Sequence, residues 1–187
     1  MSIFIDKHEL AEKKDIVNPN LLTGSKDFTG NWLYLDQVKQ KDKYLDFTAV
    51  CSDWAWNGIS QFIAVNKGET FTFSAYAKGK AGSSLNLFIT LNNDGEGGYK
   101  KVNGNPNGIT ITATGDWQKV SMTFTMLDSG AIQPRIEGNG TVPFWIAGLK
   151  LERGAVATPW CPAPEDYVMK SDLDALKAEI NQLKQGK

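Results

Sequence analysis

Apolar and polar residues alternate along much of the chain between residues 18 and 164. In the segment ETFTFSAYAK, Phe71 and Phe73 occupy alternate positions together with two alanines, and hydroxyl-bearing residues stand between them. A period of two is typical of a β-strand with one buried face. The same pattern predicts strands over residues 69–78, 84–91, 117–126 and 142–152, with further candidates at 32–38, 44–51, 59–65, 108–112 and 131–137.

Clusters of Gly, Asn, Asp and Lys separate these predicted strands, and no helical periodicity interrupts the series. About nine antiparallel strands in one domain predict an all-β fold, a two-sheet antiparallel jelly-roll β-sandwich. We expect Trp117 and Trp145 in its core, because both belong to strongly alternating strands. Trp32 and Tyr34 share one face of the first predicted strand, where either core packing or ligand binding would suit them.

A proline-rich stretch, ATPWCPAPEDY, follows the last predicted strand. Pro159, Pro162 and Pro164 restrict φ and remove backbone donors, so the sheet cannot continue through them. We expect Trp160 and Cys161 to anchor this stretch against the sandwich. It would then deliver the chain to the C-terminal segment at a fixed angle.

Two terminal segments flank the predicted sandwich of residues 18–167. Residues 1–17 are rich in charge, and Asp6 with Glu9 is suited to capping a short helix. A piece this short cannot bury a core alone, so we interpret it as an attachment segment.

Residues 168–187 change period, because their apolar residues follow a heptad spacing of four and three. This predicts a helix with a narrow apolar seam and Ser171 as its N-cap. A helix this short is only marginally stable in water. We therefore expect either the chain's own sandwich or other copies of the chain to cover the seam. We favour a coiled-coil stem, with a trimer preferred because Leu and Ile are mixed in the seam. The seam residues are Met169, Leu173, Leu176, Ile180 and Leu183.

Charge and hydropathy exclude two kinds of partner. The formal net charge is -1, whereas phosphate binding needs concentrated Lys and Arg, so nucleic acid is not expected. No segment approaches the roughly 20 apolar residues that span a membrane. The N-terminus lacks the apolar run of a signal peptide, so we expect synthesis in the cytoplasm without a signal peptide.

Signatures of catalysis, cofactors and metals are missing. The only histidine, His8, lies outside the predicted sandwich, so a Ser–His–Asp or Cys–His arrangement is not expected. No phosphate-binding glycine motif or His/Cys cluster occurs, so we predict a non-enzyme without cofactor or metal. The stretch NNDGEGGYKKVN imitates half of a calcium loop, but Asn103 stands where a bidentate Glu is needed, which favours a long hairpin loop. Cys51 and Cys161 are either two buried free thiols, which we favour, or one disulfide.

Exposed aromatic residues are the best candidates for a binding site. Trp54 and Trp56 stand two residues apart in a turn-rich sequence, and on an extended chain they would share a face. Indole rings stack on the C–H faces of sugars, and neighbouring polar groups bind sugar hydroxyls. We therefore predict a carbohydrate site with Asn57, Tyr99 and Arg135 as further contributors. Two alternatives stay open: the tryptophans close one end of the core, and Arg135 pairs with Glu137 on its own face.

Four segments, NPNLLTGSKDFTGNW, GETFTFSAYAK, WQKVSMTFT and FWIAGLKLERGAVATPWCPAPEDY, occur in this order. Together they resemble the carbohydrate-binding-module-like domains of tail and baseplate proteins of phages that infect Gram-positive bacteria, lactic acid bacteria especially. The resemblance covers residues 18–167, and the GLKLERG and ATPWCPAPED ending is its most specific part.

The resemblance implies a galactose-binding-like jelly roll that adheres to host cell-wall saccharide. It further implies a place on the virion, where other tail or baseplate proteins are its partners. Many such modules carry an Asp that supports a structural calcium in the strand matching FWIAGLKL, but this chain has Ala147 and Gly148 there, so no calcium is implied. Two alternatives remain, a structural baseplate adaptor that binds no sugar and a targeting module of a cell-wall hydrolase.

Overall fold

The structure, a computed structural model, describes residues 18–56, 58–92, 99–100, 108–140, 142–167 and 170–185. These residues form ten β-strands, two short 3-10 turns (Leu35–Gln37 and Pro164–Asp166) and one helix, α1 (Lys170–Gln185). The strands are β1 (Gln40–Tyr44), β2 (Phe47–Ser52), β3 (Ile63–Val65), β4 (Thr70–Gly79), β5 (Ser84–Asn92), β6 (Tyr99–Lys100), β7 (Gly108–Thr112), β8 (Gln118–Thr125), β9 (Gly130–Glu137) and β10 (Phe144–Arg153).

The strands form two antiparallel sheets, which confirms the predicted β-sandwich. Sheet one has the order β1-β2-β10-β4-β8, and sheet two has the order β3-β9-β5-β6. Strand β7 pairs with the first half of β5, on the edge where β6 pairs with the end of β5. Strands β5 and β9 are neighbours in sheet two although they are distant in sequence, so their register arises only on folding.

The core lies between the two sheets and consists of the apolar residues predicted from alternation. Phe71 and Phe73 of sheet one and Leu87, Ile89 and Ile136 of sheet two have no exposed surface. Burying a side chain of this kind contributes about 1.5–3 kcal/mol. The two-residue period gives each strand an apolar face, and burial of these faces stabilises the packing of the two sheets.

The N-terminal end of the chain differs from the strand prediction. Residues 32–38 form a single bridge at Leu33 and then the 3-10 turn Leu35–Gln37, and no continuous strand. The predicted strand at 44–51 is interrupted by a turn, so that β1 and β2 form a hairpin. Leu45 in this turn has a φ of 52°. Of the usual turn residues the turn contains only Asp46, so the sequence pattern gave little signal for it.

The prediction that Trp117 and Trp145 lie in the sandwich core is wrong. Both pack on the opposite, outward face of sheet one, over Ala49 and Ala147. The hairpin brings the Tyr44 ring onto Trp117, with 4.2 Å between the ring centroids. Alternation shows which residues share a face of a strand. It does not show which other part of the molecule covers that face. We call these residues the outer aromatic cluster: Tyr44, Phe47, Tyr76, Trp117, Trp145 and Trp160.

Residues 154–167, here called the strap, cover a buried ion pair on the same outward face. Lys150 and Glu152 point away from the core, yet their side chains are 1% and 0% exposed. Lys150 Nζ donates to Thr158 Oγ1 at 2.6 Å and to the Pro159 carbonyl at 2.9 Å. It lies 3.1 Å from Glu152 Oε2. Thr158 donates its N–H and its hydroxyl to Glu152 at 2.8 and 2.5 Å, so the strap satisfies both charges.

Trp160 anchors the strap, as the sequence predicted. Its Nε1 lies 3.2 Å from Ser25 Oγ and 3.3 Å from the Leu149 carbonyl oxygen, and its ring meets Phe47 edge-on at 5.0 Å. Indole N–H groups need a partner when they are buried, and here two acceptors are available. The strap is therefore fixed in position and direction.

Both cysteines are free, as the favoured prediction had it, but only one of them is buried. Cys51 is buried in β2, whereas Cys161 is only half-buried. Cys161 Sγ lies 3.8 Å from the Asn18 carbonyl oxygen, so it also contributes to anchoring the strap.

Asn20 ties the start of the sandwich to β10. Its Oδ1 accepts hydrogen bonds from the N–H groups of Leu22 and Leu151, both at 3.0 Å. Its Nδ2 donates to the Leu149 carbonyl oxygen at 3.0 Å and to Ser25 Oγ at 2.8 Å. All hydrogen-bonding positions of the amide are thus filled, and the N-terminal loop is fixed beside the strap.

Helix α1 does not pack on the sandwich. Its described side chains are all exposed, including Leu176, Ile180 and Leu183 at 53%, 40% and 73%. The sandwich therefore does not cover these three residues of the seam. Met169 of the predicted seam and the attachment segment lie outside the described residues. No described helix is both long and apolar enough to cross a membrane.

Candidate functional site

Strand β9 presents polar side chains on the outward side of sheet two. Gln133, Arg135 and Glu137 alternate along it with apolar residues that enter the core, such as Ile132 and Ile136. Arg135 Nε donates to Glu137 Oε1 at 2.7 Å. The structure thus shows the pairing of Arg135 with Glu137 that the sequence left open.

Strand β5 places two further residues beside this pair. Phe88 and Thr90 lie directly opposite Arg135 and Gln133 in the β5–β9 register. The guanidinium carbon is 5.1 Å from the Phe88 ring centroid. Thr90 Oγ1 donates to Gln133 Oε1 at 3.2 Å and accepts from Arg135 Nη1 at 3.5 Å. The ring and the hydroxyl hold the plane of the guanidinium in one orientation.

The Arg135–Glu137 pair has unused hydrogen-bonding positions. A guanidinium carries N–H donors on three nitrogens, and both donors on Nη2 form no hydrogen bond with the described residues. Glu137 Oε2 receives no hydrogen bond from that part of the chain either. The two side chains are only 12% and 6% exposed. Burial raises the pKa of the Glu137 carboxyl, and the attraction of Arg135 offsets this only in part.

A loop between β2 and β3 lies against the end of β9. A Cβ atom at Gly58 would be 2.2 Å from the Ile136 carbonyl oxygen and 3.2 Å from Arg135 Cβ, so only glycine fits there. The Trp56 ring, 61% exposed, contacts Gly140 in the loop that follows β9. Trp56 is therefore an exposed indole at the end of the strand that carries Arg135.

Trp54 contacts a different part of the molecule. Its ring is 48% exposed and meets Tyr34 edge-on, with 6.3 Å between the ring centroids. The chain turns at residues 55–56, so it is not extended between Trp54 and Trp56. Trp32, by contrast, is buried in the core. The sequence left open whether Trp32 and Tyr34 pack in the core or bind a ligand, and of these two only Tyr34 lies near an exposed ring.

Two predicted contributors are described incompletely. Asn57 lies outside the described residues, as does most of the stretch considered as a calcium loop. Tyr99 lies in β6 and pairs with Asn92, so its strand borders β5, which carries Phe88 and Thr90.

A recess of about 320 Å³ opens on the same sheet, beside Phe88. Phe88 and Asn86 line it from β5, and Gly108, Ile109 and Thr110 line it from β7. This volume falls at the lower end of the range of small-molecule sites. An aromatic ring, an amide and a hydroxyl therefore continue the polar face of β9 across the sheet.

The sequence did not single out Phe88, Thr90 or Gln133. Alternation places each of them on the outward face of its strand, but their proximity to Arg135 depends on the β5–β9 register. The segment AIQPRIE does carry a signal, since Gln133, Arg135 and Glu137 share one face. Among the described residues no group of three or more His, Cys, Asp or Glu side chains is arranged to hold a metal ion.

Unused guanidinium donors, carboxylate and amide oxygens and nearby aromatic rings are the groups that bind sugar hydroxyls and sugar faces. On a two-sheet β-sandwich they define the class of β-sandwich carbohydrate-binding domains. The chain belongs to the carbohydrate binding domain family CBM_4_9, whose sequence model matches residues 27–140. This class of domain is typically non-catalytic.

Solved structures of low sequence identity share the fold. The CBM22-1 xylan-binding domain of Xyn10C from Paenibacillus barcinonensis is similar at 20% identity and a TM-score of 0.52, over 75% of this chain and 97% of that one. The CBM22-1–CBM22-2 tandem domain of Xyn10C is similar at 21% identity and a TM-score of 0.53, over 75% of this chain and 46% of that one. Among curated proteins none matches the sequence.

The tripod from the baseplate of bacteriophage Tuc2009 is also similar, at 16% identity and a TM-score of 0.47, over 83% of this chain and 62% of that chain. So loose a match carries no conclusion about the setting in which this chain works.

Proposed function

We propose that the outward face of sheet two binds a saccharide of the bacterial cell wall, and that the domain is a non-catalytic adhesion module of a phage tail or baseplate. The observation that carries the binding proposal is the Arg135–Glu137 pair, which is held rigidly yet keeps unused donors and acceptors. Such a pair can form hydrogen bonds with two neighbouring sugar hydroxyls without a change in its own conformation.

Neighbouring residues would complete the site. Trp56 offers an exposed ring at one end of β9, and Phe88 with the recess beside it continues the face on the other side. We assign Asn57 and Tyr99 to the same site because of their positions beside Trp56 in sequence and beside β5 in the sheet. A saccharide chain lying across the strands would extend from Trp56 toward the recess beside Phe88.

The setting on a virion is supported by the sequence resemblance, above all by its GLKLERG and ATPWCPAPED ending. The strap gives that ending a structural role, since it directs the chain from the sandwich to α1. We propose that α1 associates with two further copies through Leu176, Ile180 and Leu183, and that residues 1–17 contact other virion proteins. Three linked sites would raise a weak affinity through avidity.

The binding proposal is tested by titrating the protein with purified cell-wall polysaccharide fragments from lactic acid bacteria in a calorimeter. Arg135→Ala should weaken binding at least tenfold, because a hydrogen bond from a charged donor contributes about 1.5–3 kcal/mol. Arg135→Lys should weaken it less, since the charge remains but the planar fork is lost.

Arg153→Ala is a matched control. Arg153 also pairs with a glutamate, Glu69 at 3.1 Å, and also lies over a phenylalanine, Phe71 at 5.5 Å, but it belongs to sheet one. Its substitution should leave the affinity unchanged. Equal binding by all the variants would remove Arg135 from the site, and no binding by wild-type protein would favour the structural adaptor.

The stem proposal has its own measurement. Analytical ultracentrifugation of the full chain should give the mass of a trimer, and Ile180→Glu should reduce it to that of a monomer. A monomeric wild-type protein would contradict the stem without affecting the saccharide site.

A further inference from the structure

Two segments that are distant from Arg135 in sequence meet beside Trp54. The Lys39 N–H donates to the Cys51 carbonyl oxygen at 3.3 Å, which joins the 3-10 turn Leu35–Gln37 to the end of β2. The Trp54 N–H donates to Ser52 Oγ at 3.2 Å, which fixes the start of the loop after β2. A recess of about 360 Å³ lies between the two segments. Its lining residues are Asp36, Gln37, Lys39, Asp53 and Trp54.

One wall of this recess is the Trp54 ring, and a strained residue supports it. Tyr34 lies edge-on to Trp54 and has φ 63° and ψ 14°, a left-handed conformation that is unfavourable for residues other than glycine. Strain of this kind persists only where the surrounding structure enforces it. Trp54 is thus an exposed ring held in place from behind.

The remaining walls are polar, and one of their residues has a buried, unsatisfied acceptor. Asp36, Lys39 and Asp53 are exposed at the rim. Gln37 Oε1 is buried and has no hydrogen-bond partner among the described residues. Gln37 also lines a small hollow of about 10 Å³ beside Trp54, close to the size that one water or one hydroxyl group fills.

We propose that this recess is a second binding site, which takes a single neutral sugar ring. The ring would stack on Trp54 and donate hydroxyl protons to Asp36 and Asp53, while Lys39 donates to a ring or hydroxyl oxygen. A hydroxyl that reaches the Gln37 amide supplies the donor that it lacks. Two carboxylates against one ammonium group favour a neutral sugar over an anionic one.

The recess is independent of the Arg135 face, because the two share no lining residue. Gly58 lies between them, since it borders the small hollow beside Trp54 and lies against Arg135 Cβ. This inference rests on the proposed carbohydrate-binding function for the class of its ligand. It differs from that function in predicting two sites that saturate separately.

The test is an NMR titration of amide and indole signals with methyl glycosides of glucose, galactose, N-acetylglucosamine and rhamnose. Cell-wall oligosaccharide is titrated in parallel. At least one methyl glycoside should shift the signals of Gln37, Asp53 and the Trp54 indole. Trp54→Ala should weaken this binding at least tenfold, and Asp53→Asn severalfold.

Trp56→Ala is the matched control, since it removes an exposed indole two residues away that contacts Gly140. It and Arg135→Ala should leave binding of the methyl glycoside in the recess unchanged. If no methyl glycoside shifts the recess signals while oligosaccharide shifts those of Arg135, the second site is refuted and the proposed function stands. If the recess binds but the Arg135 signals never move, the proposed function fails and the second site stands. Loss of recess binding in Arg135→Ala would show a single site and overturn the inference.

Discussion

Strands β9 and β10 each carry a cation and a glutamate two residues apart on the outward face of their sheet. On β10 the strap satisfies Lys150 and Glu152, and Thr158 serves both charges. On β9 the Arg135–Glu137 pair is also largely shielded, but both Nη2 donors and one carboxylate oxygen have no partner among the described residues.

The two pairs differ in how completely the chain fills their hydrogen-bonding positions. A buried ion pair whose positions are all filled by the chain serves to fix a conformation, here the path of the strap. A pair that is held rigidly with positions left over can still hydrogen-bond to a ligand. We therefore propose that similar residues at the same spacing have a structural role on one face and a binding role on the other.

The largest effect that separates the two faces is expected from glutamate truncation. Glu152→Ala leaves Lys150 buried without its counter-charge, which costs about 3–5 kcal/mol of unfolding free energy. Glu137→Ala should cost only about 1–2 kcal/mol, because Arg135 keeps its contacts with Thr90 and Phe88. Urea denaturation of the two variants measures both values. Equal losses would contradict the distinction between the pairs.

Trp160→Ala should have the next largest effect, on the strap alone. It removes a half-buried indole with its contacts to Ser25, Leu149 and Phe47, and we expect a loss of about 2–3 kcal/mol. Trp56→Ala is the matched substitution near β9, and because Trp56 is mostly exposed it should lower stability by less than about 1 kcal/mol. Thermal unfolding of both variants checks this order. A greater loss for Trp56→Ala would reverse the assignment of structural and binding aromatics.

The smallest effect is a pH dependence that belongs to β9. The pKa of Glu137 is raised above its ordinary value of 4.5, so the folded state holds this proton more tightly than the unfolded state does. The stability contributed by Glu137 is therefore present at low pH and falls as the pH rises from its ordinary value through the folded value. Glu137→Gln cannot titrate and should lack this fall.

For two other carboxyl groups the contribution to stability depends on pH in the opposite direction, and these groups provide the control. The hydroxyl of Thr48 lowers the pKa of Asp27, and the backbone of Asn66 lowers that of Glu69, so their contributions are lost as the pH falls. Both are shared by wild type and Glu137→Gln and cancel in the difference between the two unfolding curves. A difference that does not vary with pH would contradict the raised pKa of Glu137.

Much of the sandwich could be predicted from sequence, because alternation in β4, β5, β8 and β10 shows which apolar side chains of each strand share the core-facing side. The hairpin turn at Leu45 could not, since neither Gly nor Asn marks its left-handed residue. Trp117 was misplaced because both faces of sheet one are covered, one by sheet two and the other by aromatic rings and the strap.

The candidate site was predicted only where its residues are local in sequence. Arg135 and Glu137 lie on one strand, and their pairing follows from a period of two. Phe88 and Thr90 join them through a register between strands that are more than forty positions apart, which folding alone establishes. Trp54 and Trp56 were taken together because of their spacing, but a turn between them gives each different neighbours.

The most direct test of the two-face account is the location of a bound saccharide. Amide shifts mapped with a cell-wall oligosaccharide should concentrate on Thr90, Gln133, Arg135 and Glu137, and the signals of Lys150, Glu152 and Thr158 should stay in place. Shifts that concentrate on β10 and the strap would contradict the account, as would an oligosaccharide that binds while the signals of β9 do not move.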